Sequence, residues 1–133
     1  MTSSTQRHRG NHIPAPFRHD RQAALKLVME LMAIRGKSGD EAETAGHVIR
    51  MLRAAGAPAE AIHTDAAHRR TPLGGDHGNL VLRLPGTSRT PRRMLSAHLD
   101  TVPICVGSQP VRRNGRIVSA DPATGLGADD RAG

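Results

Sequence analysis

Apolar residues recur at intervals of three and four along an early segment of the chain, which is the spacing of one face of an α-helix. The residues that form this face are Ala24, Leu27, Val28, Leu31 and Met32. Asp20 precedes them, at the position where a side-chain oxygen accepts hydrogen bonds from the amides of a first helical turn. The pattern therefore predicts a helix over residues 20–34, which Gly36 ends.

A second helix is predicted over residues 40–55 from the same spacing of apolar positions. Its apolar face consists of Ala45, Val48, Ile49 and Leu52. Ser38 and Glu41 precede this face as in a capping box, in which the serine oxygen accepts an amide of the next turn and the glutamate reaches back. Gly56 stands where a residue in the left-handed conformation ends a helix.

Beyond the helices the apolar pattern changes to the alternation and short runs that are typical of β-strands. Residues 61–64 are predicted to form a short edge strand, and residues 79–84 a strand that stops at Pro85. Residues 93–98 are apolar through their middle and are bounded by turn residues. This third run predicts a buried strand.

A β-hairpin is predicted over residues 111–118, because Asn114 and Gly115 both tolerate the positive φ angles of a tight hairpin turn. Two helices followed by strands predict a layered α/β fold. We expect a partial mixed sheet flanked by helices.

The apolar positions are filled almost entirely by aliphatic residues, since the chain of 133 residues contains one Phe and no Trp or Tyr. Aromatic side chains usually contribute much of the buried area of a core, so we expect marginal stability. Residues 1–18 are polar and basic and are predicted to form a disordered tail. A single cysteine, Cys105, excludes an internal disulfide. Because no segment has the apolar length of a signal peptide or a membrane span, a cytoplasmic protein is predicted.

The chain is strongly basic, with 19 Lys and Arg residues against 12 Asp and Glu residues and a net charge of +7. Such a charge attracts nucleic acid, anionic membranes and acidic proteins. The arginines are scattered along the chain, however, and never form a run of five. Solvated surfaces are therefore the simpler interpretation, and nucleic acid is not the expected partner.

The first candidate functional residues are His98 and Asp100, which lie two positions apart at the carboxyl end of the third predicted strand. Alternate residues of a strand point to the same side, and open α/β sheets bind their ligands at this end. The His98 ring could therefore bind a metal through one nitrogen while Asp100 or a neighbour orients it through the other. A satisfied polar edge is the alternative interpretation of this spacing.

A second acidic segment, Asp129 and Asp130, lies between Gly127 and Gly133. Glycines let a backbone approach a ligand closely. One of two adjacent carboxylates can coordinate a metal while the other faces elsewhere. A solvated acidic turn is the alternative interpretation of this segment.

Residues 96–103 and 125–133, in this order and with the Asn-Gly hairpin between them, resemble the M20 family of di-zinc metallopeptidases. Within that family they are most similar to the peptidase T branch of tripeptide aminopeptidases. The resemblance extends over residues 19–133. It implies that these residues are the amino-terminal part of a zinc-peptidase catalytic domain whose complete form hydrolyses small peptides. Arg131 stands where relatives often have Lys, a change of the same charge to which we assign no effect.

The resemblance also implies roles for three side chains. His98 would ligate one zinc ion, Asp129 would bridge two zinc ions, and Asp100 would be the catalytic acidic residue that orients the first ligand. The family's Glu-Glu motif, later zinc ligands and dimerisation domain would follow Gly133, so the chain is expected to be inactive and to bind zinc weakly by itself. The alternatives are a related M20 aminoacylase or carboxypeptidase, and a noncatalytic basic module that binds a partner or nucleic acid.

Overall fold

The structure is a computed structural model that describes residues 19–86, 93–129 and 131. In chain order its helices and strands are α1 (Arg21–Ala33), α2 (Ala42–Ala54), β1 (Ile62–Thr64), β2 (Leu80–Leu82), β3 (Pro110–Arg113) and β4 (Arg116–Ser119). Three 3₁₀ turns connect them, at Ala59–Ala61, Ala67–Arg70 and Pro103–Cys105. The predicted tail, residues 1–18, lies outside the described residues.

Helix α1 forms where the apolar spacing predicts it. The Asp20 side chain accepts hydrogen bonds from the amides of Gln22 and Ala23, each at 3.0 Å. This satisfies two of the amides that the first turn of a helix leaves without a backbone partner. Met32, near the other end of the helix, is buried.

Helix α2 also forms, but the predicted capping box is wrong. The Ser38 hydroxyl donates to the carboxylate of Asp100 instead of accepting an amide of the next turn. The Ala42 amide donates to Asp76 at 3.0 Å, and Glu41 accepts from the Gly39 amide at 2.7 Å. An ionised acceptor makes a stronger hydrogen bond than a neutral one, which explains why Ser38 turns away from the helix.

The strands pair in two antiparallel sheets of two strands each, β1 with β2 and β3 with β4. The β3–β4 turn has Asn114 at φ 50° and Gly115 at φ 76°, which confirms the predicted hairpin. Helices combined with small sheets confirm the α/β class in its coarse form. The described strands are not joined in a mixed sheet, and the parallel contact between Lys37 and Thr101 is an isolated bridge.

The strand predicted over residues 93–98 is wrong. This segment has no regular secondary structure, and Met94 and Leu95 are 87% and 100% exposed. A strand requires a hydrogen-bonded neighbour, and no described segment pairs with this one. An apolar run alone therefore does not place a segment in a sheet.

Among the residues that the structure describes, the buried interior is small and unusually polar. Its apolar members are Met32, Ala45, Ala61 and Cys105. Its polar members are Thr44, Thr101, Ser108 and Arg131. Buried polar groups are costly unless they are hydrogen-bonded, so hydrogen bonds decide whether this interior is stable.

In the part of the chain that the structure describes, no helix has the length and apolar character needed to cross a bilayer. The cytoplasmic location stays a prediction.

Asp65 joins the two strands of the first sheet at the base of their long connection. Its carboxylate accepts the Ala67 amide at 2.9 Å, the Asn79 amide at 2.8 Å and the Asn79 side-chain amide at 2.9 Å. A Cβ atom on Gly78 would lie 2.1 Å from the Asp65 carbonyl oxygen, so only glycine fits there. These hydrogen bonds, with that to the Ala67 amide first, lower the pKa of Asp65 below its usual value.

A pH dependence follows from Asp65. Because its pKa is lower in the folded chain, its carboxylate stabilises the fold fully above the ordinary aspartate pKa of about 3.9. That contribution is lost as the pH falls through the lower folded value. We expect the stability difference between the unchanged chain and Asp65→Asn to shrink over this acid range, measured as urea midpoints at a series of pH values. A difference that stays constant from neutral to acid pH would contradict this account of Asp65.

Candidate metal site

The two segments that carry the candidate chemistry lie against each other. We call residues 96–103 the histidine segment, and residues 125–129 with 131 the aspartate segment. The Gly125 amide donates to the Ile104 carbonyl at 2.9 Å, just after the histidine segment ends. The Ser108 hydroxyl donates to the Leu126 carbonyl at 3.0 Å. The chain therefore folds back so that its two acidic motifs share one region.

The glycines of the aspartate segment make this approach possible. A Cβ atom on Gly125 would lie 2.5 Å from the Cys105 sulfur, which is closer than atoms can pack. Gly127 has φ +70°, and its Cβ would lie 3.3 Å from the Thr101 hydroxyl oxygen. The sequence predicts that these glycines admit a ligand, whereas in the structure they admit the chain's own turn at Pro103–Cys105.

His98 and Asp100 contact each other directly. The Nδ1 atom of His98 lies 2.9 Å from a carboxylate oxygen of Asp100 and 3.1 Å from its carbonyl oxygen. The other carboxylate oxygen of Asp100 accepts the Ser38 hydroxyl. Both acceptors favour the tautomer with the proton on Nδ1, and coordination of a metal by this ring would then use Nε2.

The environment of Asp100 keeps its carboxylate ionised. The Ser38 hydrogen bond lowers the pKa of Asp100, and interaction with His98 lowers it further, although partial burial acts in the opposite direction. The side chains of His98 and Asp100 are 46% and 26% exposed. The pair thus combines a fixed anionic acceptor with a ring that solvent ions can reach.

Asp129 lies on the exposed part of the aspartate segment. Its carbonyl oxygen accepts the Arg131 amide at 2.8 Å, which closes a turn behind it. Asp130 lies outside the described residues. The structure thus places Asp129, as an exposed residue, on the segment that packs against the histidine segment.

Arg131 is the residue of this region that sequence interpretation missed. It is only 7% exposed. Its guanidinium donates to four backbone carbonyl groups and one hydroxyl group, those of Leu31, Ile34, Gly36, Leu99 and Thr44. Burial lowers the pKa of Arg131 and the charge of Asp100 opposes this shift, but the side chain stays protonated at neutral pH. The signal in the sequence is that Arg131 is the only basic residue after Arg116.

Three further histidines each have a buried ring nitrogen without a hydrogen-bond partner in the described part of the chain. The atoms are Nε2 of His47, Nδ1 of His68 and Nε2 of His77. Among the described residues, no group of three or more His, Cys, Asp or Glu side chains is close enough to hold a metal ion. A stable zinc site uses at least three protein ligands, so the described residues do not by themselves complete such a site.

No protein-family model, curated protein or solved structure matches the chain.

Proposed function

We propose that His98 and Asp129 are zinc ligands of a peptidase that resembles the M20 tripeptide aminopeptidases, with Asp100 as the residue that orients His98. The observation that carries this proposal is the 2.9 Å contact between His98 Nδ1 and one oxygen of the Asp100 carboxylate. The Ser38 hydroxyl donates a hydrogen bond to the other oxygen. A carboxylate on the second nitrogen is the usual partner of a metal-bound histidine.

The donor chemistry of these residues fits zinc. Imidazole nitrogen and carboxylate oxygen are both ordinary zinc ligands. Asp100 fixes the ring and raises the basicity of its other nitrogen, because the carboxylate stabilises the Nδ1 proton. Asp129 would supply the second donor from the aspartate segment, which the packing of Gly125 and Gly127 brings to the histidine segment.

Zinc held here would supply a Lewis acid that polarises the peptide carbonyl and makes a bound water more acidic. The residues of this chain would bind and orient. His98 would present Nε2, Asp100 would keep the proton on Nδ1, and Asp129 would add negative charge. None of these three is assigned as the base that takes a proton from water, so we expect no peptide hydrolysis from them alone.

Calorimetric titration of the metal-free chain with Zn²⁺ tests this proposal. We expect weak binding, since two protein donors are fewer than a stable site uses. His98→Ala and Asp129→Asn should each weaken zinc binding by about tenfold or more, by analogy with the effects seen when metal-site residues are replaced.

The matched control is His63→Ala, which removes an exposed histidine from β1. Zinc binding by this variant should equal that of the unchanged chain. If the His98→Ala and Asp129→Asn variants bind zinc as tightly as the His63→Ala variant does, the proposed ligands are refuted.

A further inference from the structure

We infer that Arg131 is a positioning residue of the candidate metal site. Its side chain holds the Leu99–Asp100 peptide so that the Asp100 carboxylate contacts the His98 ring. The expected effect on zinc affinity rests on the proposed function, whereas the expected effect on the His98 ring rests on geometry alone.

The contact that carries the inference is a two-pronged hydrogen bond. Arg131 donates to the Leu99 carbonyl oxygen from Nε at 3.1 Å and from Nη2 at 3.0 Å. Leu99 is the residue between His98 and Asp100. Because the Leu99 carbonyl belongs to the peptide that leads into Asp100, fixing it limits rotation of that peptide and so fixes the carboxylate relative to the His98 ring.

The same guanidinium is itself held in place by the end of α1. Its Nη1 donates to the carbonyl oxygens of Leu31 at 2.9 Å and Ile34 at 2.7 Å. The Leu31 carbonyl also accepts the Ile34 amide at 3.2 Å, so the guanidinium is its second donor. A cation at this end of a helix interacts favourably with the helix dipole. Arg131 therefore ties the candidate site to a rigid element.

A third contact connects Arg131 to the second candidate ligand. The Arg131 backbone amide donates to the Asp129 carbonyl oxygen at 2.8 Å. The side chain and the backbone of one residue thus hold the peptides next to Asp100 and Asp129. Arg131 would contact neither metal nor substrate in this role, because its donors point to neutral acceptors inside the chain.

Lysine has the same charge but cannot make these hydrogen bonds, so the equivalence of Lys and Arg that charge alone suggests at position 131 does not extend to geometry. A lysine ammonium is a single point on a flexible stem, whereas the guanidinium spreads five donors over a rigid plane. Arg131→Lys would keep a buried cation near the α1 carbonyls and lose one prong on Leu99. The substitution therefore changes the geometry of the donors while the positive charge is kept.

The experiment compares Arg131→Lys with Thr44→Val. Thr44 is 1% exposed, and its hydroxyl accepts from Arg131 Nη2 at 3.2 Å. Thr44→Val therefore removes an acceptor from the same buried cluster and keeps both donors and the acceptor of the Leu99 contact. Trimethylamine N-oxide, which favours compact states, is added to every sample, and folding is checked by circular dichroism. Two readouts are taken: the His98 tautomer in the metal-free chain by ¹⁵N NMR at about pH 8, where histidines are ordinarily neutral, and the zinc affinity.

We expect Arg131→Lys to mix the two His98 tautomers and to weaken zinc binding by about 10–100-fold, the usual effect of removing a residue that orients a metal ligand. Thr44→Val should retain the Nδ1–H tautomer and the zinc affinity of the unchanged chain. The inference is overturned if Arg131→Lys changes neither readout, or if Thr44→Val changes both as much.

Two results separate this inference from the proposed function. If the unchanged chain binds no zinc through His98, the proposed function fails, while the tautomer comparison still decides the role of Arg131. If Arg131→Lys does not fold, a scalar coupling through the hydrogen bond from Arg131 Nε to the Leu99 carbonyl carbon is measured in the unchanged chain. A resolved coupling supports the inference, and its absence overturns it.

Discussion

Replacing Arg131 with methionine is expected to lower the free energy of unfolding by about 1–3 kcal/mol, the cost of leaving buried acceptors without their donor. The guanidinium makes hydrogen bonds to carbonyls from α1, from the following turn and from the histidine segment. Methionine fills part of the space but donates nothing. The Leu31 and Gly36 carbonyls would keep backbone amides as donors, whereas the Ile34 and Leu99 carbonyls would lose the guanidinium. Because the described part of the chain buries few apolar residues, this loss should be a large fraction of the stability of the fold.

Urea unfolding followed by circular dichroism measures this effect. The matched control is Arg116→Met, which removes an exposed arginine from β4 and should change stability by no more than about 0.5 kcal/mol. If Arg131→Met and Arg116→Met unfold at the same urea concentration, the buried guanidinium is not what holds these segments together.

Gly125→Ala is expected to destabilise the fold by about 1–3 kcal/mol, the usual cost of overpacking an interior. The new methyl group would lie 2.5 Å from the Cys105 sulfur and must push the aspartate segment away from the turn Pro103–Cys105. The next contacts, to the Ile104 Cγ2 atom at 3.5 Å and to the Cys105 Cβ atom at 3.8 Å, would be ordinary. The sulfur is therefore the main obstacle.

A double-mutant cycle with Cys105→Ala isolates that contact. Removing the sulfur makes room for the methyl group, so the double variant should be more stable than the sum of the two single changes predicts, by about 1–3 kcal/mol. Urea midpoints of the four proteins give the coupling. Additive effects would mean that Gly125 and Cys105 are not packed together as the structure has them.

Features whose hydrogen bonds stay within a few residues could be predicted from the sequence. The cap at Asp20 uses amides two and three residues away, and the hairpin turn at Asn114 and Gly115 is set by their tolerance of positive φ. Apolar spacing was enough to locate both helices, because one helix face must be buried whatever it packs against.

Features that depend on distant partners could not be predicted in the same way. Ser38 has the right spacing for a capping box, but the charged carboxylate of Asp100 lies 62 positions further along the chain and takes its hydroxyl. Residues 93–98 have the composition of a buried strand and lack a neighbouring strand among the described residues. The composition of a segment indicates whether it can be buried, but a strand forms only where a neighbouring strand pairs with it.

In the candidate site, too, the contacts depend on partners that the sequence pattern does not mark. The strand that would place His98 and Asp100 on one side does not form, and the two side chains come into contact at 2.9 Å within an irregular segment. Arg131 was missed because its acceptors are mostly main-chain carbonyls, which every residue carries and no sequence pattern marks.

That His98 and Asp129 bind one metal ion is tested most directly by titrating the ¹⁵N-labelled full chain with Zn²⁺ and following every backbone amide by NMR. Amides of the histidine and aspartate segments, including those of Leu99 and Ala128, are predicted to shift together along a single binding curve, while those of the β3–β4 hairpin do not move. Shifts confined to one of the two segments, or to the surroundings of other histidines such as His63, would contradict a shared site.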